Sequence, residues 1–195
     1  MLAYAHIYKD QAFIPGTSGE YPEALETRRT TKSGLEIILR PVKINDESLL
    51  KDFFYSLSEA SVYSRFVSMR RDMPHEWLQD FVIIDYTKNM EILAVVVEEG
   101  KKEKETIVGL GQYNIIEDAH TAEVAFVVRD GYHNNGIGAE LLSYLTYLAK
   151  KQGLLGFVAE VLGHNVSVFH LFEKMDFEIE KSLDDGVYEL KTTFT

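Results

Sequence analysis

The sequence predicts a single domain of mixed α/β (α+β) fold, and three observations favour that class. The chain has 195 residues, 46% of them hydrophobic, which is enough to bury the core of one domain. Segments with the period-2 pattern of strands precede, separate and follow segments with helical spacing. One apolar strand also passes through a glycine-containing turn directly into an amphipathic helix.

The predicted elements follow in the order strand, helices, three strands, helix, strand, helix, two strands. Residues 1–34 show little periodicity and hold two of the four prolines, so they are predicted to form an extended arm before a domain at 35–195. Seven segments have the pattern of strands: 35–40, 92–97, 106–116, 123–128, 157–162, 177–181 and 187–193. Helices are predicted from residue 45, over 60–67, over 74–83, from residue 137 and over 165–175.

The most informative segment is 121–139, where a strand, a turn and a helix follow one another. Val124, Phe126 and Val128 alternate with Glu123, Ala125 and Val127, which is typical of a strand covered on both faces. The helix that begins at Ile137 repeats leucines at helical spacing, and Gly136 and Gly138 flank its first residue. The first amides of a helix lack intrahelical partners, so this turn is predicted to bind phosphate or pyrophosphate.

Two common phosphate motifs do not fit this turn. A P-loop requires Lys and a hydroxyl residue after its last glycine, whereas Ala139 and Glu140 follow Gly138. A dinucleotide-binding fingerprint requires a third glycine at the position of Leu141. The remaining two-glycine pattern is a weak signal by itself.

Composition excludes several other classes of function. The chain has no cysteine, which excludes disulfides, thiolate catalysis and cysteine-ligated zinc, and its six histidines form no metal-binding spacing. No apolar run reaches the roughly 20 residues of a membrane span, and the first residues do not resemble a secretory signal, so a cytoplasmic protein is expected. A net charge of −11 argues against nucleic-acid partners and favours basic ones.

Over about residues 35–193 the chain resembles the GCN5-related N-acetyltransferases (GNAT). The resemblance rests on His133-Asn134-Asn135-Gly136-Ile137-Gly138, which occupies the position of the family's Gln/Arg-x-x-Gly-x-Gly/Ala motif, and on residues 165–177. Within the family it is most similar to the protein lysine acetyltransferases that modify AMP-forming acyl-CoA synthetases. That narrower resemblance rests on the short segments 39–42, 56–58, 64–66, 84–86 and 122–126.

The resemblance implies a GNAT fold, with a mostly antiparallel, twisted sheet of about seven strands flanked by helices. It implies acetyl-CoA as cosubstrate, no metal, no membrane, and a monomer or homodimer. It also implies Glu123 as the general base, which fits the apolar neighbours that predict burial of this carboxylate. The expected residues of the coenzyme A site are Val127, Val128, His133, Asn134, Asn135, Gly136, Ile137, Gly138, Ala139 and Asn165.

Several alternatives remain open from the sequence. Glu160 lies in a similar apolar strand and is a second candidate base. The helix that begins near Asn165 has no tyrosine, the residue that many relatives use as general acid, so water is an alternative proton donor. The acceptor is expected to be a lysine on a protein such as an acyl-CoA synthetase. A small-molecule amine is the alternative acceptor, and a catalytically silent acyl-CoA sensor is the alternative class of protein.

Overall fold

The computed structural model describes residues 21–66, 88–97, 104–116 and 119–195, together with residues 78, 82, 84 and 86. These residues form one eight-stranded sheet with the strand order β1-β2-β3-β4-β5-β6-β8-β7. Every neighbouring pair is antiparallel except β5 and β6, which are parallel. The strands are β1 (Thr27–Thr30), β2 (Glu36–Pro41), β3 (Asn89–Val97), β4 (Glu105–Ile116), β5 (Thr121–Val128), β6 (Gly156–Leu162), β7 (Phe177–Asp184) and β8 (Val187–Phe194).

Four α-helices accompany the sheet in the described part of the chain. They are α1 (Glu47–Tyr55), α2 (Glu59–Phe66), α3 (Ile137–Lys151) and α4 (Val166–Lys174). The predicted helix at 74–83 lies outside the described residues, apart from residues 78 and 82. None of the helices in the described ranges is long and apolar enough to cross a membrane.

The predicted fold class is confirmed, but the sheet has one strand more than expected. The additional strand, β1, lies in the segment that was predicted to be an extended arm, and it pairs with β2 at the edge of the sheet. Its sequence, Thr-Arg-Arg-Thr, is polar, so hydrophobic periodicity gives no signal for it. The domain boundary at residue 35 remains a prediction.

Helix α3 packs closely on one face of the sheet because β4 carries glycines beneath it. A Cβ atom on Gly109 would lie 3.0 Å from the Leu141 side chain, and one on Gly111 would lie 2.9 Å from the Leu145 side chain. Both leucines are fully buried. The glycines therefore let α3 approach the sheet directly, which fixes the height of its N-terminus above the end of β5.

A second core covers the opposite face, where Phe53 and Phe54 of α1 pack near Val127 of β5. At its edge, Arg40 of β2 is 1% exposed and donates two hydrogen bonds to Asp46, of 2.7 and 2.9 Å, and two to Glu105, of 2.6 and 3.2 Å. Burial lowers the pKa of the Arg40 guanidinium, but the hydrogen bonds outweigh burial and raise it above its usual value. This ion-pair network joins the start of β4 to the turn that precedes α1.

Candidate functional site

A cavity opens where β5 and β6 stop pairing. The two strands share three residue pairs, from Thr121↔Gly156 to Glu123↔Val158. Beyond them, 124–128 of β5 and 159–161 of β6 line a cavity of about 700 Å³. Because β5 loses its neighbour here, this edge can pair with an extended, amide-containing ligand.

The glycine turn closes one end of this cavity. Gly136 has a φ of +90° and caps α3, a conformation that glycine adopts without strain. Its carbonyl accepts hydrogen bonds of 3.1 Å from the amides of Ala139 and Glu140. Earlier amides of the helix have no carbonyl one turn before them, so the end of α3 provides donors and a positive dipole at the cavity.

Gly138 forms part of the turn and also allows the start of α3 to pack closely against α4. A Cβ atom there would lie 3.3 Å from Leu171 of α4 and 3.7 Å from the Phe126 ring. Phe126 in turn contacts Phe172 of α4, with ring centroids 6.3 Å apart. Helix α4 therefore packs against the start of α3 and forms one wall of the cavity.

The structure brings nine of the ten predicted cofactor residues to the cavity wall. These are Val127, Val128, His133, Asn134, Gly136, Ile137, Gly138, Ala139 and Asn165. The tenth, Asn135, is not part of the lining. Its side-chain amide donates 3.2 Å hydrogen bonds to the carbonyls of Tyr132 and His133, so it stabilises the turn from behind.

His133 is held against the strand that precedes it. Its Nε2 lies 2.9 Å from the carbonyl oxygen of Val128. A carbonyl oxygen can only accept, so Nε2 carries a proton and donates, and Nδ1 is the ring nitrogen left for another contact. The exposed imidazole thus fixes the path of the chain from β5 into the turn.

Glu123 lies at the point of divergence, opposite Asn114 of β4 and Val158 of β6. The expectation that its carboxylate is buried is wrong, because the side chain is exposed and does not line the cavity. Its neighbours Ala122 and Val124 are buried because they point to the opposite face, beneath α3. Its role as the base remains a prediction, and Glu160 of β6, also exposed, does line the cavity.

Sequence reasoning missed the carboxylate that joins the end of β5 to helix α2. Asp130 accepts hydrogen bonds from the Ser58 amide (2.9 Å), the Ser58 hydroxyl (2.6 Å) and the Ser61 hydroxyl (2.9 Å). Partial burial raises the pKa of this carboxyl, but the hydrogen bonds outweigh burial and hold the pKa below its ordinary value. The sequence held one signal for this contact, since the spacing of Ser58 and Ser61 fits the start of a helix.

Helix α4 begins after Asn165, which occupies the N-cap position that its residue type favours. Its carbonyl accepts a 3.1 Å hydrogen bond from the Val168 amide, while its side chain makes no capping bond to the helix. Ser167 and His170 of this helix also line the cavity. Within the described residues, no group of three or more His, Asp or Glu side chains is arranged to hold a metal ion.

Comparison with known proteins gives a consistent result for the fold and the family. A family model described as the acetyltransferase (GNAT) family matches residues 57–177. An acetyltransferase of Pseudomonas aeruginosa is 27% identical over 145 residues, which cover 74% of this chain and 73% of that protein.

Two solved structures have the same fold. The GNAT domain of S. lividans PAT superposes with a TM-score of 0.78 at 24% identity, over 90% of this chain and all of that one. An N-acetyltransferase from Thermoplasma acidophilum, solved in complex with coenzyme A, has a TM-score of 0.56 at 18% identity, over 82% of this chain and all of that one.

Proposed function

We propose that this chain, which belongs to the acetyltransferase (GNAT) family, transfers an acetyl group from acetyl-CoA to the ε-amine of a lysine on another protein. Family membership makes the protein an acyltransferase, and the family uses acetyl-CoA. The lysine acceptor and the catalytic role of Glu123 are the proposed parts. The observation that supports them best is the divergence of β5 and β6 immediately after Glu123.

In the proposed complex, the pantetheine arm lies along the edge of β5 that β6 leaves unpaired. The pyrophosphate lies at the start of α3, where helix amides and dipole favour an anion. The cavity of about 700 Å³ falls within the range of small-molecule and cofactor sites. The thioester is then placed near Glu123, since the unpaired edge begins at the next residue.

The proposed transfer is direct. Glu123 takes a proton from the lysine ammonium, directly or through a water, and the neutral amine attacks the thioester carbonyl carbon. A β5 amide stabilises the oxyanion of the tetrahedral intermediate. Collapse of the intermediate breaks the C–S bond. The nitrogen, which is cationic after the attack, loses its second proton to water, and the leaving thiolate gains a proton from water. The exposure of Glu123 suits this scheme, because a protein-borne lysine must reach it from solvent.

A sequence resemblance supports a protein lysine as acceptor, and a structural observation supports a cationic amine. The segments 39–42, 64–66 and 122–126 resemble enzymes that acetylate a catalytic lysine of AMP-forming acyl-CoA synthetases. In addition, Glu123 and Glu160 lie on the same face of neighbouring strands, in a chain with a net charge of −11. An acidic entrance attracts a cationic side chain before its proton is removed.

The role of Glu123 can be tested against a matched carboxylate. We expect Glu123→Gln to lower acetyl transfer by about 10²-fold or more near neutral pH while coenzyme A affinity stays within about twofold. Glu160→Gln removes the same charge from the adjacent strand and is expected to cost less than about tenfold. If Glu160→Gln abolishes turnover and Glu123→Gln does not, Glu160 is the base.

The acceptor can be identified with labelled acetyl-CoA. The protein is incubated with acyl-CoA synthetases from the same organism. Two quantities are followed, the label on the synthetase lysine and adenylate formation by the synthetase. We expect label on that lysine and loss of adenylation, because acetylation removes the positive charge. Efficient acetylation of polyamines or aminoglycosides with no labelled synthetase would identify a small-amine enzyme. Coenzyme A binding without transfer to any amine would identify a sensor.

A further inference from the structure

The turn between β1 and β2 lies against the glycine turn, although about 100 residues of sequence separate them. The Ser33 hydroxyl donates a 3.2 Å hydrogen bond to the carbonyl of Asn135. The turn is closed by 2.9 Å backbone hydrogen bonds from Thr31 to Leu35 and from Gly34 to Thr31. A short, closed turn of this kind holds the residue at its tip, Lys32, in a fixed position relative to the start of α3.

Lys32 crosses the N-terminal end of α3. A Cβ atom on Gly136 would lie 2.9 Å from Cγ of Lys32 and 3.4 Å from its backbone nitrogen. Lys32 also lines the cavity between β5 and β6. Across the described ranges of the chain, its ammonium group makes no hydrogen bond or ion pair.

The position is electrostatically unfavourable for a cation when the cavity is empty. The amino end of a helix carries partial positive charge, so a lysine there is repelled, whereas Lys174 at the carboxyl end of α4 is favoured. Glu140 is the acid in the first turn of α3, and burial raises the pKa of its carboxyl. The charge of Arg29 in β1 lowers the pKa of Glu140 and partly offsets the effect of burial.

An anion bound between the lysine and the helix reverses this repulsion. A pyrophosphate there would accept hydrogen bonds from the helix amides on one side and from the ammonium on the other. The chain has a net charge of −11, which repels a polyanionic cosubstrate. Positive charge close to the bound anion is therefore needed to offset this repulsion. Asp130, a further carboxylate of the cavity lining, already accepts hydrogen bonds from Ser58 and Ser61.

We propose that the β1–β2 turn is part of the cofactor site and that the Lys32 ammonium binds the pyrophosphate of coenzyme A. This inference rests on the proposed function, since it takes acetyl-CoA as the ligand of the cavity. It assigns a binding role to residues that the sequence places in an N-terminal arm. It also gives Gly136 a second reason to be glycine, because the stem of Lys32 occupies the space that a side chain would need.

Calorimetric titration of the full chain with coenzyme A tests the proposal. Lys32→Met keeps most of the apolar stem and removes the charge, and we expect about tenfold weaker binding. Lys32→Arg keeps the charge and is expected to stay within about threefold of the original affinity. Lys51→Met removes the same charge from the exposed surface of α1, outside the cavity, and is expected to change nothing.

Dephospho-CoA, which lacks the 3′-phosphate, identifies the group that Lys32 contacts. The same tenfold loss with both ligands supports the pyrophosphate assignment. A loss that disappears with dephospho-CoA would place Lys32 on the 3′-phosphate and overturn the assignment. Unchanged affinity of Lys32→Met, in a protein that binds coenzyme A normally, overturns the role of Lys32 but leaves the proposed function intact. If the unaltered chain does not bind coenzyme A, both fail.

Discussion

Replacing Gly136 by alanine combines two effects, backbone strain and the displacement of a neighbour. A comparison with Gly153 separates them. The residue has a φ of +90°, and its added methyl group would lie 2.9 Å from Cγ of Lys32. Gly153, just past the end of α3, provides the matched control. Its φ is +81°, and a methyl group there meets nothing within 4 Å.

The strain is expected to be nearly equal at the two sites. An alanine in left-handed backbone destabilises the folded state by about 1–2 kcal/mol. It also lowers the conformational entropy of the unfolded chain, which offsets about 0.4–1 kcal/mol of that loss. Each variant should therefore lose about 1 kcal/mol of unfolding free energy. In a chain of 195 residues this corresponds to a decrease in Tm of about 2–4 °C. Scanning calorimetry measures both shifts.

Coenzyme A binding should distinguish the variants. Gly136→Ala must displace the stem of Lys32, so we expect about tenfold weaker binding. Gly153→Ala changes nothing near the cavity and should bind as the original protein does. Titration calorimetry at one pH and ionic strength gives both affinities. Equal affinity of the two variants would refute the reasoning, because contact between the two turns would then have no effect on the ligand.

Two further predictions concern stability. Arg40→Met removes the charged partner of the buried Asp46 carboxylate, so we expect the free energy of unfolding in urea to fall by about 3–5 kcal/mol. Lys191→Met, in an exposed pair, should lower it by less than about 1 kcal/mol. Equal losses would contradict a structural role for the buried pair. Asp130→Asn should cost about 1 kcal/mol at pH 7, since hydrogen bonds such as that from Ser58 hold the pKa of the carboxyl below its unfolded value. That contribution is present above about pH 4 and is lost as the pH falls through the folded pKa, so the two proteins should converge in stability at acid pH; a constant difference would contradict it.

The parts of the fold that the sequence predicts are those encoded by local patterns. Alternation identified seven strands, and the two glycines marked the start of α3. Strand β1 was missed because Thr27–Thr30 is polar and owes its place to pairing with β2 rather than to burial. Alternation shows which residues share a face but not whether that face is covered, which is why Glu123 was expected to be buried and is exposed.

The proposed cofactor site shows the same limit more clearly. The residues at the turn itself follow from a motif of six consecutive positions, and all but Asn135 line the cavity. Lys32 and Asp130 are recognised only through contacts across the fold, to Gly136 and to Ser58, which lies 72 residues before Asp130. Such contacts depend on the strand order of the sheet, and no local pattern contains it.

The arrangement of the cavity also suggests how cofactor and acceptor reach it without obstructing each other. Helices α3 and α4 lie on one face of the sheet, and the glycine turn places the predicted anion site at the end of that layer. Glu123 and Glu160 project from the opposite face, on either side of the divergence between β5 and β6. If Glu123 takes the proton, the acceptor approaches from that exposed face while the thioester lies along the edge of β5. Both substrates can then be bound at once, and direct transfer requires only that their reactive atoms meet in the gap between the strands.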